Sequence, residues 1–256
     1  MCLILLAHHA HADYPLVVAA NRDEWFYRPT APARFWDDTP DLIAGRDLVQ
    51  GGTWLGLAAT GRFAALTNFR DPPAHRADAP SRGHLVRDFL VGTDQPLGYV
   101  ERFAPQAKAF NGFNLLAGTR DRMVYFSNRN GGDPVALNPG IYGLSNHFLD
   151  TDWRKVRHGK ASLRALLREP DPAFARMFEV LGDSSVAPDH DLPATGVPLE
   201  RERAMSPAHI RGGDYGTRCA TVVAVRRDGA AFFSERTFDR EGTVVGTMSE
   251  SFKLTR

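Results

Sequence analysis

The second residue of the chain, Cys2, has two reactive groups once Met1 is removed: a thiol and a free α-amino group. An α-amino group has a pKa of roughly 7.7 to 8 and a thiol one of roughly 8.5, so near neutral pH the amine can serve as the base for the thiol. We therefore interpret Cys2 as an N-terminal nucleophile. The alternative, from residue type alone, is an ordinary core cysteine, because free cysteine is commonly a small buried hydrophobe.

A charged cluster at residues 21–24 supplies partners for such a nucleophile, with Arg22 as the cation that favours thiolate. The runs at residues 2–8 and 16–20 are apolar, and the residues between them include an aspartate and a proline. This pattern predicts a hairpin of two buried strands. Antiparallel pairing brings Cys2 opposite residues 21–23, so we expect the nucleophile and the charges at one end of a sheet.

The cluster is also the first of several motifs that resemble those of a known family, and the resemblance covers nearly the whole chain. The sequence resembles the NRDE family, also known as the transport and Golgi organisation protein 2 family. The matching motifs are Cys2, Asn21-Arg22-Asp23-Glu24-Trp25 with Arg28-Pro29, Gly51-Gly52-Thr53-Trp54-Leu55-Gly56, Leu66-Thr67-Asn68-Phe69-Arg70, Gly143-Leu144-Ser145-Asn146 and Tyr215-Gly216-Thr217-Arg218. Their order is also similar to that of choloylglycine hydrolases and penicillin V acylases, which are cysteine N-terminal nucleophile amidases.

This resemblance implies a function and a set of site residues. The Cys2 thiolate would attack an acyl amide or thioester, and hydrolysis would need no cofactor. Asn68 and Asn146 would stabilise the oxyanion, although by spacing alone an asparagine at a strand end is a turn or cap residue. Arg22, Asp23 and Arg218 would orient the amine and bind a polar substrate end. The remaining motif residues that we assign to substrate binding are Asn21, Glu24 and Trp54.

A carrier is the alternative function, because some members of the family are linked to the movement of haem inside cells. Haem or a fatty acyl-CoA would then be bound cargo. The candidate haem contacts are His8, His9, His11 and His209. A metal site is not expected, since alternate strand residues face opposite sides and no cysteine or carboxylate spacing completes a zinc pattern.

Composition fits one domain over residues 1–256, with 43% hydrophobic and 24% charged residues. The formal net charge of +1 gives no indication of nucleic acid or an anionic membrane, so we expect a small-molecule partner. The sequence has two cysteines, which makes a disulfide framework unlikely. It also shows no signal-peptide pattern and no apolar run long enough to span a bilayer, so we expect a cytoplasmic protein.

The elements that must position these residues follow from the patterns. Residues 28–41 read as a loop, residues 53–58 and 62–68 as a second hairpin, and residues 153–169 and 172–181 as helices. Residues 183–216 predict either a lid or binding loop, or a surface insertion. Strands at both ends with helices between them favour an α+β fold. It would be an αββα sandwich of two antiparallel sheets flanked by helices, as in N-terminal nucleophile hydrolases.

Overall fold

The computed structural model describes residues 2–255. Met1, on whose removal the N-terminal nucleophile interpretation depends, lies outside these residues. The strands are β1 (Cys2–His8), β2 (Leu16–Trp25), β3 (Thr30–Trp36), β4 (Thr39–Asp47), β5 (Leu55–Ala58), β6 (Phe63–Asn68), β7 (Phe113–Gly118), β8 (Met123–Ser127), β9 (Val135–Ala136), β10 (Gly140–Leu144), β11 (Tyr215–Val225), β12 (Ala230–Phe238) and β13 (Val244–Lys253). The α-helices are α1 (Gly83–Val91), α2 (Pro96–Phe103), α3 (Arg154–Leu166), α4 (Met177–Leu181) and α5 (Leu199–Ala204). Short 3-10 turns occupy Pro72–Ala74, Ala104–Ala109, Phe174–Arg176 and Asp189–Asp191.

The strands form two antiparallel sheets. Sheet A has the order β10-β1-β2-β11-β12-β13, and sheet B has the order β3-β4-β5-β6-β7-β8-β9. The predicted first hairpin is confirmed: in β1 and β2, Cys2 lies opposite Arg22 and His8 lies opposite Leu16. The second hairpin is confirmed as β5 and β6.

Alternation along β1 shows why its sequence is apolar throughout. Ile4 and Leu6 pack into the core between the sheets, whereas Leu3 and Leu5 pack against α3 and α4 on the other face of sheet A. Helices α1 and α2 cover the outer face of sheet B through residues such as Phe89. The order of layers is therefore helices, sheet, sheet, helices, as the sequence predicts.

The loop predicted over residues 28–41 is wrong, because this segment contains β3 and the start of β4. The prolines that suggested a loop are compatible with strand here. Pro32 lies on the edge strand of sheet B, and Pro40 is the second residue of β4. A proline lacks the N–H that an interior ladder requires, but an edge or a strand start tolerates that loss.

The long connection over residues 183–216 contains α5 and closes against the helix-covered side of sheet A. Asn21 Nδ2 donates to the carbonyl of Ala208, and Lys155 Nζ donates to that of Met205. Residues 205–208 of this segment therefore lie on the side of sheet A away from sheet B. No helix of the described chain has the length and apolar character that crossing a membrane requires.

Candidate active site

A cavity of about 390 Å³ lies between the two sheets at the end where Cys2 begins β1. Sheet A contributes Cys2, Arg22, Asp23, Glu24, Arg218, Cys219, Glu235 and Thr237 to its wall. Sheet B and the connections contribute Arg28, Thr30, Ala31, Pro32, Gly45, Arg46, Asp47, Gln50, Thr53, Trp54, Leu66, Asn68, Ala79, Pro80, Ser81, Arg82, Gly83 and Asn111. Most of the residues that the sequence assigns to the reaction therefore share one cavity.

Cys2 is held on both sides of its backbone. Its nitrogen donates to Asn146 Oδ1 at 3.2 Å, and its carbonyl accepts a hydrogen bond from Ser145 Oγ at 2.8 Å. The residue is 8% exposed, and that exposed part faces the cavity. Burial raises the pKa of the thiol and the charge of Asp23 adds to this, while a hydrogen bond from the Asp23 backbone and the charge of Arg22 lower it. The thiolate thus depends on its charged neighbours.

Asn146 is placed to position Cys2 rather than to bind an oxyanion. Its Nδ2 donates to the backbone carbonyl of Asn68 at 2.8 Å, and its Oδ1 faces the nitrogen of Cys2. The side chain is buried and does not line the cavity. Because both ends of the amide have partners and the side chain lies off the cavity wall, this geometry does not favour the oxyanion role, which stays a prediction for Asn146.

Asn68 is the better placed oxyanion donor. It ends β6 and lines the cavity, and it is exposed there. Among the described residues its side-chain amide forms no hydrogen bond, whereas its backbone carbonyl accepts one from Asn146. The side chain is therefore available to a ligand in the same cavity as the thiol.

Asp23 approaches the site from the opposite face of sheet A. Alternation places it with Val17 and Ala19, whose side chains pack under α3 and α4. The carboxylate is buried, and its Oδ1 accepts a hydrogen bond from Thr217 Oγ1 at 2.6 Å. Burial raises its pKa, while Lys155, Thr217 and Arg22 lower it.

Arg22 and Glu24 project into the cavity, as the alternation of β2 requires. Arg22 is 3.6 Å from Glu24, so the predicted cation is shared with a carboxylate. Trp54 precedes β5, lines the cavity and packs against the core between the sheets.

Arg218 has a structural role that the sequence did not predict. It lies at a bulge between Thr217 and Cys219, and its Nη1 donates to the carbonyls of Trp25 and Arg28 at 2.9 and 3.1 Å. These bonds fasten the turn between β2 and β3. With those donors used, Arg218 holds this turn, while its predicted roles in orienting the amine and binding substrate stay predictions for a residue that lines the cavity.

The position of Asn21 contradicts the substrate-binding role predicted for it. Its side chain is fully buried on the helix-covered face of sheet A, and Nδ2 donates to Leu181 and Ala208 at 2.8 and 2.7 Å. It fastens the long connection to the sheet. Strand alternation explains the error, because Asn21 and Arg22 face opposite sides.

The four histidines proposed as haem contacts do not share a site. His8 ends β1 at the far side from Cys2, about 20 Å away at the rise of a strand. His209 instead precedes β11 on the Cys2 side, where its ring packs against Phe238. None of the four lines the cavity among the described residues. A haem cargo bound through one of these histidines stays a prediction, and such a site would lie outside this cavity.

Two cationic residues at the site carried no motif. Arg82 lines the cavity and donates to the carbonyl of Gly112 at 2.9 Å. Lys155 is buried on α3, behind Asp23. The signal for Lys155 was a lysine on the apolar face of a predicted helix, in register with Gly159 and Leu163. Arg82 lies in a proline-rich segment with no pattern that marks it.

The sequence model of the Transport and Golgi organisation 2 family matches residues 1–240. This chain belongs to that family. It is 39% identical over 258 residues to the Transport and Golgi organization protein 2 homolog of Bos taurus, covering 94% of this chain and 93% of that protein. The Homo sapiens homolog is 36% identical over 239 residues, covering 87% and 86%.

A solved structure shares the fold. It is the C2A mutant of conjugated bile acid hydrolase from Clostridium perfringens, with a TM-score of 0.54 over 99% of this chain and 92% of that one. Sequence identity is 8%, so the likeness concerns the fold. The predicted sandwich of N-terminal nucleophile hydrolases is confirmed.

Proposed function

We propose that the protein hydrolyses an acyl amide or thioester through a covalent intermediate on Cys2. The position of Cys2 carries this proposal. Cys2 lines the cavity at the start of β1, and its backbone nitrogen donates to Asn146 Oδ1, just beyond the end of β10. After removal of Met1 this nitrogen is an amine on the residue that bears the nucleophile, so it can act as the base. The fold shared with conjugated bile acid hydrolase supports the same chemistry.

The reaction then has two halves. The amine takes the thiol proton, and sulfur forms a bond to the carbonyl carbon while an electron pair moves to the oxygen. Asn68 donates to this oxyanion. The carbonyl re-forms, the bond to the leaving group breaks, and the leaving group takes the proton from the ammonium. Water next attacks the thioester and gives its proton to the amine. The C–S bond breaks, the acid leaves and sulfur regains a proton.

Arginines of the cavity would bind a polar end of the substrate. Arg22 and Arg82 both line the cavity, and a guanidinium matches a carboxylate or phosphate group. Among the described residues Arg82 forms no ion pair with a carboxylate, so its charge is available to a ligand. We assign to Arg82 the substrate-binding role that the sequence suggested for Arg218.

The test compares Cys2→Ala with Cys2→Ser and the wild type, after an intact mass has established the loss of Met1. Acyl p-nitroanilides and acyl thioesters of several chain lengths serve as probes. We expect turnover in the wild type, almost none in Cys2→Ala and strongly reduced turnover in Cys2→Ser, because a hydroxyl is a weaker nucleophile. Cys219→Ala is the matched control and keeps turnover. Equal turnover in Cys2→Ala would reject the nucleophile.

A second candidate is binding of the same acyl compounds, fatty acyl-CoA included, without turnover. It is favoured by one observation: Arg22 and Arg82 both line the cavity, where their guanidinium groups suit the phosphates of an acyl-CoA. In this case the wild type and Cys2→Ala bind an acyl-CoA equally well and neither releases free thiol. Binding that weakens with salt and in Arg82→Glu, in a protein that shows no hydrolysis, would establish the carrier.

A further inference from the structure

A buried lysine lies on the helix-covered side of the site. Lys155 is in the first turn of α3 and is 6% exposed. Its ammonium donates to the carbonyls of Met205 and Pro207, at 3.0 and 3.4 Å. A buried cation costs free energy unless nearby charges and acceptors compensate, so its retention here needs a reason.

The position of α3 brings this lysine behind the catalytic end of sheet A. The helix packs closely on the sheet, because a side chain on Gly159 would meet Leu5 and one on Gly143 would meet Val156. Asp23 points to this same face, since it alternates with Arg22, which faces the cavity. Lys155 and Asp23 are thus buried groups of opposite charge between one helix and one sheet.

Hydrogen bonds at both ends of a short backbone stretch of the long connection join the two residues. Lys155 holds the carbonyls of residues 205 and 207. Three residues on, the nitrogen of Ile210 donates to Thr217 Oγ1 at 2.9 Å, and Thr217 Oγ1 donates to Asp23 Oδ1 at 2.6 Å. The lysine is therefore built into the support of the Asp23 carboxylate.

The charges around both groups agree with this arrangement. Burial lowers the pKa of Lys155 to about 8, and Asp23 is the first charge that opposes the shift, followed by Cys2 and Glu202, while Arg70 adds to it. Burial raises the pKa of Asp23, and Lys155, Thr217 and Arg22 counter it. Arg70 and Glu202 form a buried ion pair with each other, so they contribute little net charge.

We propose that Lys155 is a positioning residue for the reaction, which holds the Asp23 carboxylate charged and in place behind the nitrogen of Cys2. The inference rests on the proposed function, in which that nitrogen is the base. Lys155 touches neither substrate nor the reacting atoms, and it acts through Asp23. A neutral Asp23 would lose the charge that orients the amine.

The test uses Lys155→Met, which removes the charge and keeps the length. Two readouts are followed from pH 5 to 10: kcat/KM for an acyl probe, and alkylation of residue 2 by iodoacetamide, quantified on the N-terminal peptide. We expect the acid limb of the kcat/KM profile to move to higher pH by about one unit, because Asp23 then ionises at higher pH, with kcat reduced at least tenfold and KM changed less than threefold. The alkylation profile should move to lower pH, because the charge of Asp23 raises the pKa of the Cys2 thiol. Lys160→Met, on the same helix in an ion pair with Asp150, is the matched control and leaves both profiles in place.

The comparison in an Asp23→Asn background separates positioning from a merely structural role. Since Lys155 acts through Asp23, adding Lys155→Met to Asp23→Asn should produce no further shift. The double variant also leaves neither charge buried without its partner, so it covers the case in which Lys155→Met alone does not fold. A further shift in the double variant, or unchanged profiles in a folded Lys155→Met protein, would overturn the proposal. Alkylation of Cys2 reports on its environment even in a protein that shows no turnover. Failure of the proposed hydrolase function can therefore be distinguished from failure of the proposed role of Lys155.

Discussion

The side-chain oxygen of Asn146 lies 3.2 Å from the backbone nitrogen of Cys2, and the amide nitrogen of the same side chain donates to the carbonyl of Asn68. One asparagine therefore connects the nucleophile on sheet A to the end of β6 on sheet B. A side chain that fixes the distance between nucleophile and oxyanion donor is expected to influence the rate more than substrate binding.

Asn146→Ala should accordingly lower kcat by about 5- to 30-fold with little change in KM, because loss of one buried hydrogen bond is worth about 1 to 2 kcal/mol. Steady-state kinetics on an acyl amide checks this. Asn128→Ala is the control, since Asn128 also donates to backbone carbonyls but lies away from the cavity. A purely raised KM would contradict the positioning role.

Asn68→Ala should lower kcat by about 10²- to 10³-fold, the effect typical of losing one oxyanion donor. The melting temperature should hardly change, because the exposed side-chain amide has no partner among the described residues. Asn68→Asp should be at least as impaired, since a carboxylate repels the developing negative charge. If Asn68→Ala retained full activity, another group would have to supply the oxyanion hole.

Gly159→Ala should destabilise the protein by about 1 to 2 kcal/mol. Alanine is the better helix former by about 1 kcal/mol, but the new methyl would lie 2.6 and 2.7 Å from the methyl carbons of Leu5, which is fully buried. Overpacking therefore outweighs propensity. Gly98→Ala in α2 is the matched control: nothing lies within 4 Å, so urea unfolding should show a gain of up to about 1 kcal/mol. If both variants gained stability, the packing of α3 against Leu5 would be looser than the structure indicates.

His209 should make the protein sensitive to acid. Burial lowers its pKa to about 4, below the 6.5 of an unperturbed imidazole. The folded protein thus binds fewer protons than the unfolded chain between these values, so stability is lost as the pH falls from 6.5 to 4. In His209→Leu the free energy of unfolding should fall less over that range, whereas His158→Leu on the exposed face of α3 should behave as the wild type. Equal slopes in all three proteins would contradict the assignment.

Much of the site could be predicted from local sequence. The pairing of the first hairpin follows from two apolar runs on either side of a short polar turn, and it places Cys2 opposite Arg22. Asn68 ends β6 and Asn146 follows β10 by two residues, and a hydrogen bond joins them across the two sheets; the motifs indicated that both lie at the site. The alternation of side chains along β2 could also have been predicted from the sequence. It separates Asn21 and Asp23 from Arg22 and Glu24, and it would have excluded Asn21 from the cavity.

What the sequence could not supply depends on tertiary contacts. Arg218 is used by the turn before β3 because of a bulge in β11, and no local pattern marks that bulge. Arg82 reaches the cavity because the chain before α1 returns to β6 and β7, a long-range arrangement. The role of Lys155 depends on how α3 and the connection at residues 205–210 pack on sheet A. Residues 183–216 were expected as a lid or an insertion; none of them lines the cavity, and residues 205–210 pack on the helix-covered face of sheet A.

The acyl-enzyme is the central claim, and its direct measurement is the mass of the protein during turnover. Wild type and Cys2→Ala are mixed with an acyl p-nitrophenyl ester, quenched in acid within milliseconds and digested for peptide mapping. We predict a burst of p-nitrophenol approaching one per protein and an equal amount of acyl group on Cys2 at the new N-terminus. Cys219 should stay unmodified, and Cys2→Ala should show neither burst nor adduct. Turnover of the ester with no acyl group on Cys2, or with the acyl group on another residue, would contradict the account.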